Sequence, residues 1–178
     1  MSFAKLDQTR IVQEALDLLQ EQGLAQVSLR KIAARLDVGV SSLYWHIRDK
    51  DALYALLSRR ILRACLDAVP PCTDWAAWLR AFGLALWHAQ VTIRDVRQLI
   101  VVAPVDEKTR GEYRAEIIGT LEGFGLDTAT ATLAQRSVQA LVTGWTTLKP
   151  LESGSSDEEK AYFEAALDAL IRGWCVPA

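Results

Sequence analysis

Apolar residues return every three or four positions along almost the whole chain, so the pattern predicts helices and little else. Between residues 7 and 22, Ile11, Ala15 and Leu19 recur at four-residue spacing with Val12 and Leu16 beside them, and Gly23 ends the stripe. Ser28 is placed to cap a short helix whose inner face is Leu29, Ile32, Ala33 and Leu36. Asp37-Val38-Gly39 breaks the pattern, and a third short helix is predicted from about Val40 to His46. Asp49 then caps a longer fourth helix carrying Leu53, Leu56, Leu57, Ile61 and Ala64 inward.

Pro70-Pro71 interrupts the periodicity and marks a boundary between subdomains. Thr73 or Asp74 restarts it, with Trp75, Trp78, Leu79, Phe82 and Leu86 at helical spacing. Further helices are predicted near 93–102, stopped by Pro104, and over about 106–124, with Ile117, Ile118, Leu121 and Phe124 inside and Gly125 closing. Asp127 or Thr128 opens a long helix to Leu148 that carries Leu133, Val138, Leu141, Val142 and Trp145. Pro150 and Glu152-Ser153-Gly154-Ser155-Ser156 form a loop before a last helix with Phe163, Leu167, Leu170, Ile171 and Trp174. The β-branched run Leu99-Ile100-Val101-Val102 is too short to suggest a sheet, and the chain has no internal repeat. The expected fold class is all-α.

Composition changes this picture little. With 51% hydrophobic and 24% charged residues, the chain of 178 residues has the profile of an ordinary globular protein. No apolar run approaches the roughly 20 residues of a membrane span, and Met1-Ser2-Phe3-Ala4-Lys5 leads straight into a polar helix pattern. Three cysteines, Cys65, Cys72 and Cys175, are odd in number and lack metal-ligand spacing, which fits a reduced, cytoplasmic protein. Charge is more informative by region than in bulk. The net charge is −2, yet residues 1–60 hold 9 Lys/Arg against 7 Asp/Glu and the remainder holds 11 against 15.

The first three helices have the proportions of a helix-turn-helix braced by a preceding amphipathic helix. Asp37 tolerates the left-handed conformation that ends the second helix, Val38 is expected to be the buried pin between the two helices, and Gly39 serves as N-cap of the third. Tyr44, Trp45 and His46 are adjacent, so they cannot share one face. Leu43 and Ile47 are the inward residues between them. Arg48 and Lys50 follow directly, placing exposed rings beside positive charge.

From Ser28 through Leu53, the stretch SLRKIAARLDVGVSSLYWHIRDKDAL resembles the N-terminal domain of the TetR family of transcriptional regulators. The resemblance implies an N-terminal helix-turn-helix domain over 1–50 and a helical effector-binding and dimerisation domain over 51–178. It implies base or sugar-phosphate contacts by Ser28, Arg30, Val40, Ser41, Ser42, Tyr44, Trp45, His46 and Lys50. The chemistry agrees, since arginine can bond guanine bidentately and lysine supplies charge and register. Lys31 and Arg35 read as solvated helix charges or phosphate contacts. Two departures stand out: Asp37 and Gly39 occupy positions where the family usually has Gly and often Ser or Thr.

Trp78, Phe82, Leu86, Trp87, Ile100, Phe124 and Trp145 line either an apolar effector pocket or the core of a helical bundle, and six tryptophans suit a flat hydrophobic ligand. Gly83, Gly119 and Gly144 fit close helix packing as well as a cavity. Where members of the family that bind a metal–drug chelate place polar and metal-binding residues, this chain carries Leu66, Phe82 and Ile100, which implies a more lipophilic effector. No cofactor or metal is expected, because the two histidines, His46 and His88, fall in different subdomains. The broad apolar faces predicted over 127–149 and 157–175 favour a homodimer through a four-helix interface, whose two-fold symmetry suits a palindromic double-stranded DNA operator.

Two rival readings remain. An enzyme would need a nucleophile elbow, zinc motif, phosphate loop or spaced carboxylate pair, and none is legible. Asp106-Glu107 and Asp157-Glu158-Glu159 sit at helix starts, as dipole partners do. The other rival is a helical partner-binding protein that keeps the fold without an inducer.

Overall fold

The computed structural model describes residues 6–103, 107–148 and 156–174. Pro104, Asp106, Pro150, Glu152 to Ser155 and Cys175 lie outside them. All regular structure among the described residues is helical, so the fold is all-α. The helices are α1 (Gln8–Gln22), α2 (Leu29–Arg35), α3 (Val40–Tyr44), α4 (Lys50–Asp67), α5 (Trp75–Thr92), α6 (Val96–Val102), α7 (Glu107–Gly123), α8 (Thr128–Thr147) and α9 (Ser156–Trp174), with one 3-10 turn at Leu24–Gln26.

The chain divides into two compact units, Met1–Arg63 with Thr92–Asp106, and Ala64–Val91 with Glu107–Ala178. In the first, α1 starts where the Asp7 carboxylate accepts the Arg10 N–H at 2.8 Å, and ends at Gly23, whose φ of 85° no L side chain adopts cheaply. Ile11, Ala15, Leu18 and Leu19 are buried along one stripe of α1, which packs on α2, where Leu29, Ile32 and Ala33 are buried. Leu18 belongs to this core although the four-residue spacing passed over it, whereas Leu16 is only half-buried. Arg35 reaches across α2 to Glu14 and Glu21 of α1, and its hydrogen bond holds the Glu21 carboxyl below the usual range.

In the second unit α8 packs between α7 and α9. Asp127 caps α8 by accepting the Ala129 and Thr130 N–H groups at 3.0 Å. Val138 and Val142 are fully buried, as are Ala131 and Ala134. Leu133, expected inside, is instead 53% exposed, because it stands on the opposite side of α8 from that row. Gly83 is where α5 meets α8 and α9: a Cβ there would lie 3.0 Å from side-chain carbons of Val138 and Leu167. Close packing therefore accounts for Gly83, while nothing lies near the Cβ positions of Gly119 and Gly144. Asp74 caps α5 through the Ala77 N–H at 2.8 Å, and Ala64, expected inside on α4, is exposed.

Candidate nucleic-acid interface

The first unit builds a solvent-facing aromatic and cationic surface around α3. The Ser28 hydroxyl accepts the Lys31 N–H at 3.3 Å and so starts α2. Its end is closed by two backbone bonds, Val38 N–H to Ala33 C=O at 3.0 Å and Asp37 N–H to Ala34 C=O at 3.3 Å. This pairing requires a left-handed residue, and Asp37 supplies it with φ of 54°. Val38 is half-buried rather than buried; Leu36 and Leu43 provide the apolar closure between the helices. Gly39 caps α3 with extended backbone and no side chain, leaving the start of that helix sterically open.

Five residues, Val40–Tyr44, form α3, shorter than the periodicity predicted, and Trp45 and His46 follow it. Leu43 at 0% exposure and Ile47 at 1% anchor the segment. Ile47 N–H also bonds Leu43 C=O at 2.8 Å, and the Gln8 side-chain amide donates to His46 C=O at 3.3 Å. Because these inward positions are fixed, Tyr44 at 55% and Trp45 at 90% exposure face solvent, with His46 exposed beside them. Arg30 and Ser41 are exposed, and Val40, Ser42 and Ser28 are half-buried. Lys31 is exposed and hydrogen-bonds the side-chain carbonyls of Gln22 and Gln26, which leaves its charge in place, whereas Arg35 is paired with Glu14 and Glu21.

Asp49 begins α4. Its carboxylate accepts the Ala52 N–H at 2.8 Å and pairs with Arg48 at 2.7 Å, and both, the backbone bond foremost, hold it below the usual carboxylate range. Lys50 follows, exposed, with its ammonium 5.1 Å from the centroid of the Tyr54 ring. Sequence spacing did not point to Tyr54, to Asp95 or to the bonds of Leu24, because these join residues up to 71 positions apart. Asp95, itself left-handed at φ 54°, accepts the Leu24 N–H at 2.9 Å. Gln20 spans the same junction, donating to Thr92 C=O at 3.2 Å and accepting from Arg94 N–H at 3.1 Å.

The effector-pocket candidates include two sets of ring contacts. Trp78 and Phe82 stack at 5.1 Å, whereas Trp145 meets Phe163 edge-on at 5.8 Å and Trp87 stacks on the same Phe163 at 5.4 Å. Leu86 and Phe124 are half-buried in the second unit, and Ile100 is half-exposed in the first. Trp87 is 7% exposed, and its indole N–H meets no acceptor among the described residues. Nearby on α5, the Gln90 carbonyl accepts from Thr146 at 2.6 Å. The Cys65 thiol donates to Ala85 C=O at 3.6 Å and burial pushes it up to about 11, so it does not behave as a reactive thiolate. No helix among the described residues is long and apolar enough to cross a membrane.

Residues 11–57 match the family described as bacterial regulatory proteins, tetR family. Across 89% of this chain and 74% of the relative, the sequence is 30% identical to the tetracycline repressor protein class G of Vibrio anguillarum. Among solved structures, a variant of TetR from Acinetobacter baumannii AYE in complex with minocycline superposes with a TM-score of 0.74 at 30% identity, covering 96% of this chain and 97% of that one. BioQ with its double-stranded DNA operator superposes with a TM-score of 0.66 at 25% identity, covering 96% and 98%.

Proposed function

The chain belongs to the tetR family of bacterial regulatory proteins, and from that premise we propose that it is a homodimeric transcriptional repressor released from a palindromic operator by a small hydrophobic effector. The observation that carries this reading is the exposed row Tyr44, Trp45 and His46 on a segment locked from beneath by Leu43 and Ile47. Rings held in water by a rigid support meet the requirement for a preformed docking surface. Arg30 is the base reader, Ser41, Ser42 and Val40 permit close approach in the major groove, and Lys50 meets a phosphate. Ser28 caps α2 by accepting a backbone N–H and keeps its own O–H to donate to a phosphate.

The effector reading draws on a relative crystallised with minocycline and on the aromatic clusters of the second unit. This chain takes a different ligand chemistry. Phe82 is buried and stacked on Trp78, and Ile100 presents an apolar side chain. A flat apolar molecule carrying one hydrogen-bond acceptor suits Trp78, Phe82, Leu86, Phe124 and Trp145, with the Trp87 N–H as its polar partner. Release follows if that molecule binds better to the dimer state that cannot span both half-sites, about 34–36 Å apart.

Selection from a randomised pool of duplex DNA tests the proposal. A two-fold symmetric site should emerge, with affinity falling steeply as salt rises. Recovery of no DNA would leave the helical partner-binding reading in its place.

A further inference from the structure

We propose that Tyr54 is a positioning residue for DNA binding, its ring holding the Lys50 ammonium where that group meets a backbone phosphate. The inference rests on the reading of Lys50 given above and adds a residue to it. Lys50 and Tyr54 are four apart on α4, so the lysine stem and the ring share a face, and Nζ stands 5.1 Å from the ring centroid. A free lysine side chain samples many rotamers and loses that freedom on meeting a phosphate. One already drawn over a ring loses less.

The ring can hold Lys50 only if it is itself held. Tyr54 is buried, and its hydroxyl donates to Leu24 C=O at 3.4 Å. That bond is long, but its acceptor is fixed. The Leu24 N–H is taken by Asp95 Oδ2 at 2.9 Å, so the residue is gripped by α4 on one side and by the start of α6 on the other. A buried tyrosine hydroxyl needs an acceptor in any case; what core filling alone does not call for is the Lys50 ammonium over the ring face.

The test uses the duplex that the wild-type chain selects from a randomised pool, measuring affinity against salt. Lys50→Ala should flatten the plot of log affinity against log salt by about 0.9 for each phosphate left without its cation, about 1.8 per bound dimer. Tyr54→Leu should flatten it in the same direction and weaken binding several-fold, while Tyr54→Phe, which keeps the ring but loses its bond to Leu24, should flatten it less than Tyr54→Leu does. Lys50→Ala combined with Tyr54→Leu should bind no worse than Lys50→Ala alone. Melting curves check the fold. Fluorinated phenylalanines at position 54 keep its shape and weaken the ring's negative face, and should flatten the slope in graded fashion even if Tyr54→Leu unfolds. A wild-type slope in the fluorinated series, or additive losses in the double variant, overturns the role of Tyr54 while leaving DNA binding intact. If the wild-type chain selects no duplex, the DNA reading itself falls and this inference with it.

Discussion

At the scale of single residues, the α3 segment separates buried from exposed side chains within five positions. Leu43 is fully buried and Trp45 is 90% exposed. Leu43→Ala removes core atoms and leaves a cavity, so it should cost about 2–5 kcal/mol of stability. Trp45→Ala should change stability by no more than about 0.5 kcal/mol yet weaken operator binding by more than about 1 kcal/mol. Thermal melts and a binding titration on the two variants check this; a large loss of stability in Trp45→Ala would mean that the ring is structural. That outward row was legible in the sequence because three consecutive helical positions span too wide an arc for one buried face. Val38 was not legible. Its apolar side chain suggested burial, but the left-handed Asp37 before it turns the chain so that Leu36 closes the seam and Val38 stays half-buried.

Among elements, the joint between the end of α1 and the start of α6 leaves no room for a side chain at Gly23. A Cβ at Gly23 would stand 2.6 Å from Asp95 Oδ2 and 3.2 Å from Arg94 Nε, at a φ that already disfavours any side chain. Gly23→Ala should therefore destabilise the unit by more than the roughly 1–2 kcal/mol of left-handed strain alone, because Asp95 must move and release the Leu24 N–H. Asp95→Ala leaves that N–H without its acceptor and should cost about 1–3 kcal/mol. Asp95→Asn keeps both an acceptor and tolerance of the left-handed conformation and should lose much less. Hydrogen exchange at the Leu24 amide reads the difference directly: protection should vanish in the alanine variant and persist in the asparagine one. Equal protection in all three proteins would show that the carboxylate does not hold the joint. The later helices were readable from caps and spacing, since Ser28, Asp49, Asp74 and Asp127 each accept a backbone N–H at a helix start, whereas the Asp7 cap was not singled out. The joint was not, because residues 93–103 carry only a short apolar run, and a carboxylate bonding a backbone 71 positions away leaves no periodic trace.

For the whole molecule, the proposed homodimer turns on what α8 and α9 leave exposed. On α8, Ala131, Ala134, Val138 and Val142 are buried within the unit, while Leu133 is 53% exposed; on α9 Phe163 and Leu167 are buried and Tyr162 stands out. The inward row of α8 is made of alanines and valines, and Leu133 is left on its outer side, while α9 turns Phe163 and Leu167 inward. The sequence pattern suggested more apolar face than one chain covers, but it counted Leu133 as core, since helical spacing tells which residues align and not which side is already occupied. If the homodimer forms through these faces, Leu133→Asp places two like charges near the two-fold axis, where desolvation and repulsion act together. Its effect on the isolated unit should be slight, because the position is already wet. Sedimentation should then show a monomer whose helical content and intramolecular packing match the wild-type chain. Operator affinity should fall to that of one half-site, since two recognition segments no longer bind as a single body. A Leu133→Asp protein that still sediments as a dimer and binds the selected duplex at full strength would place the interface elsewhere.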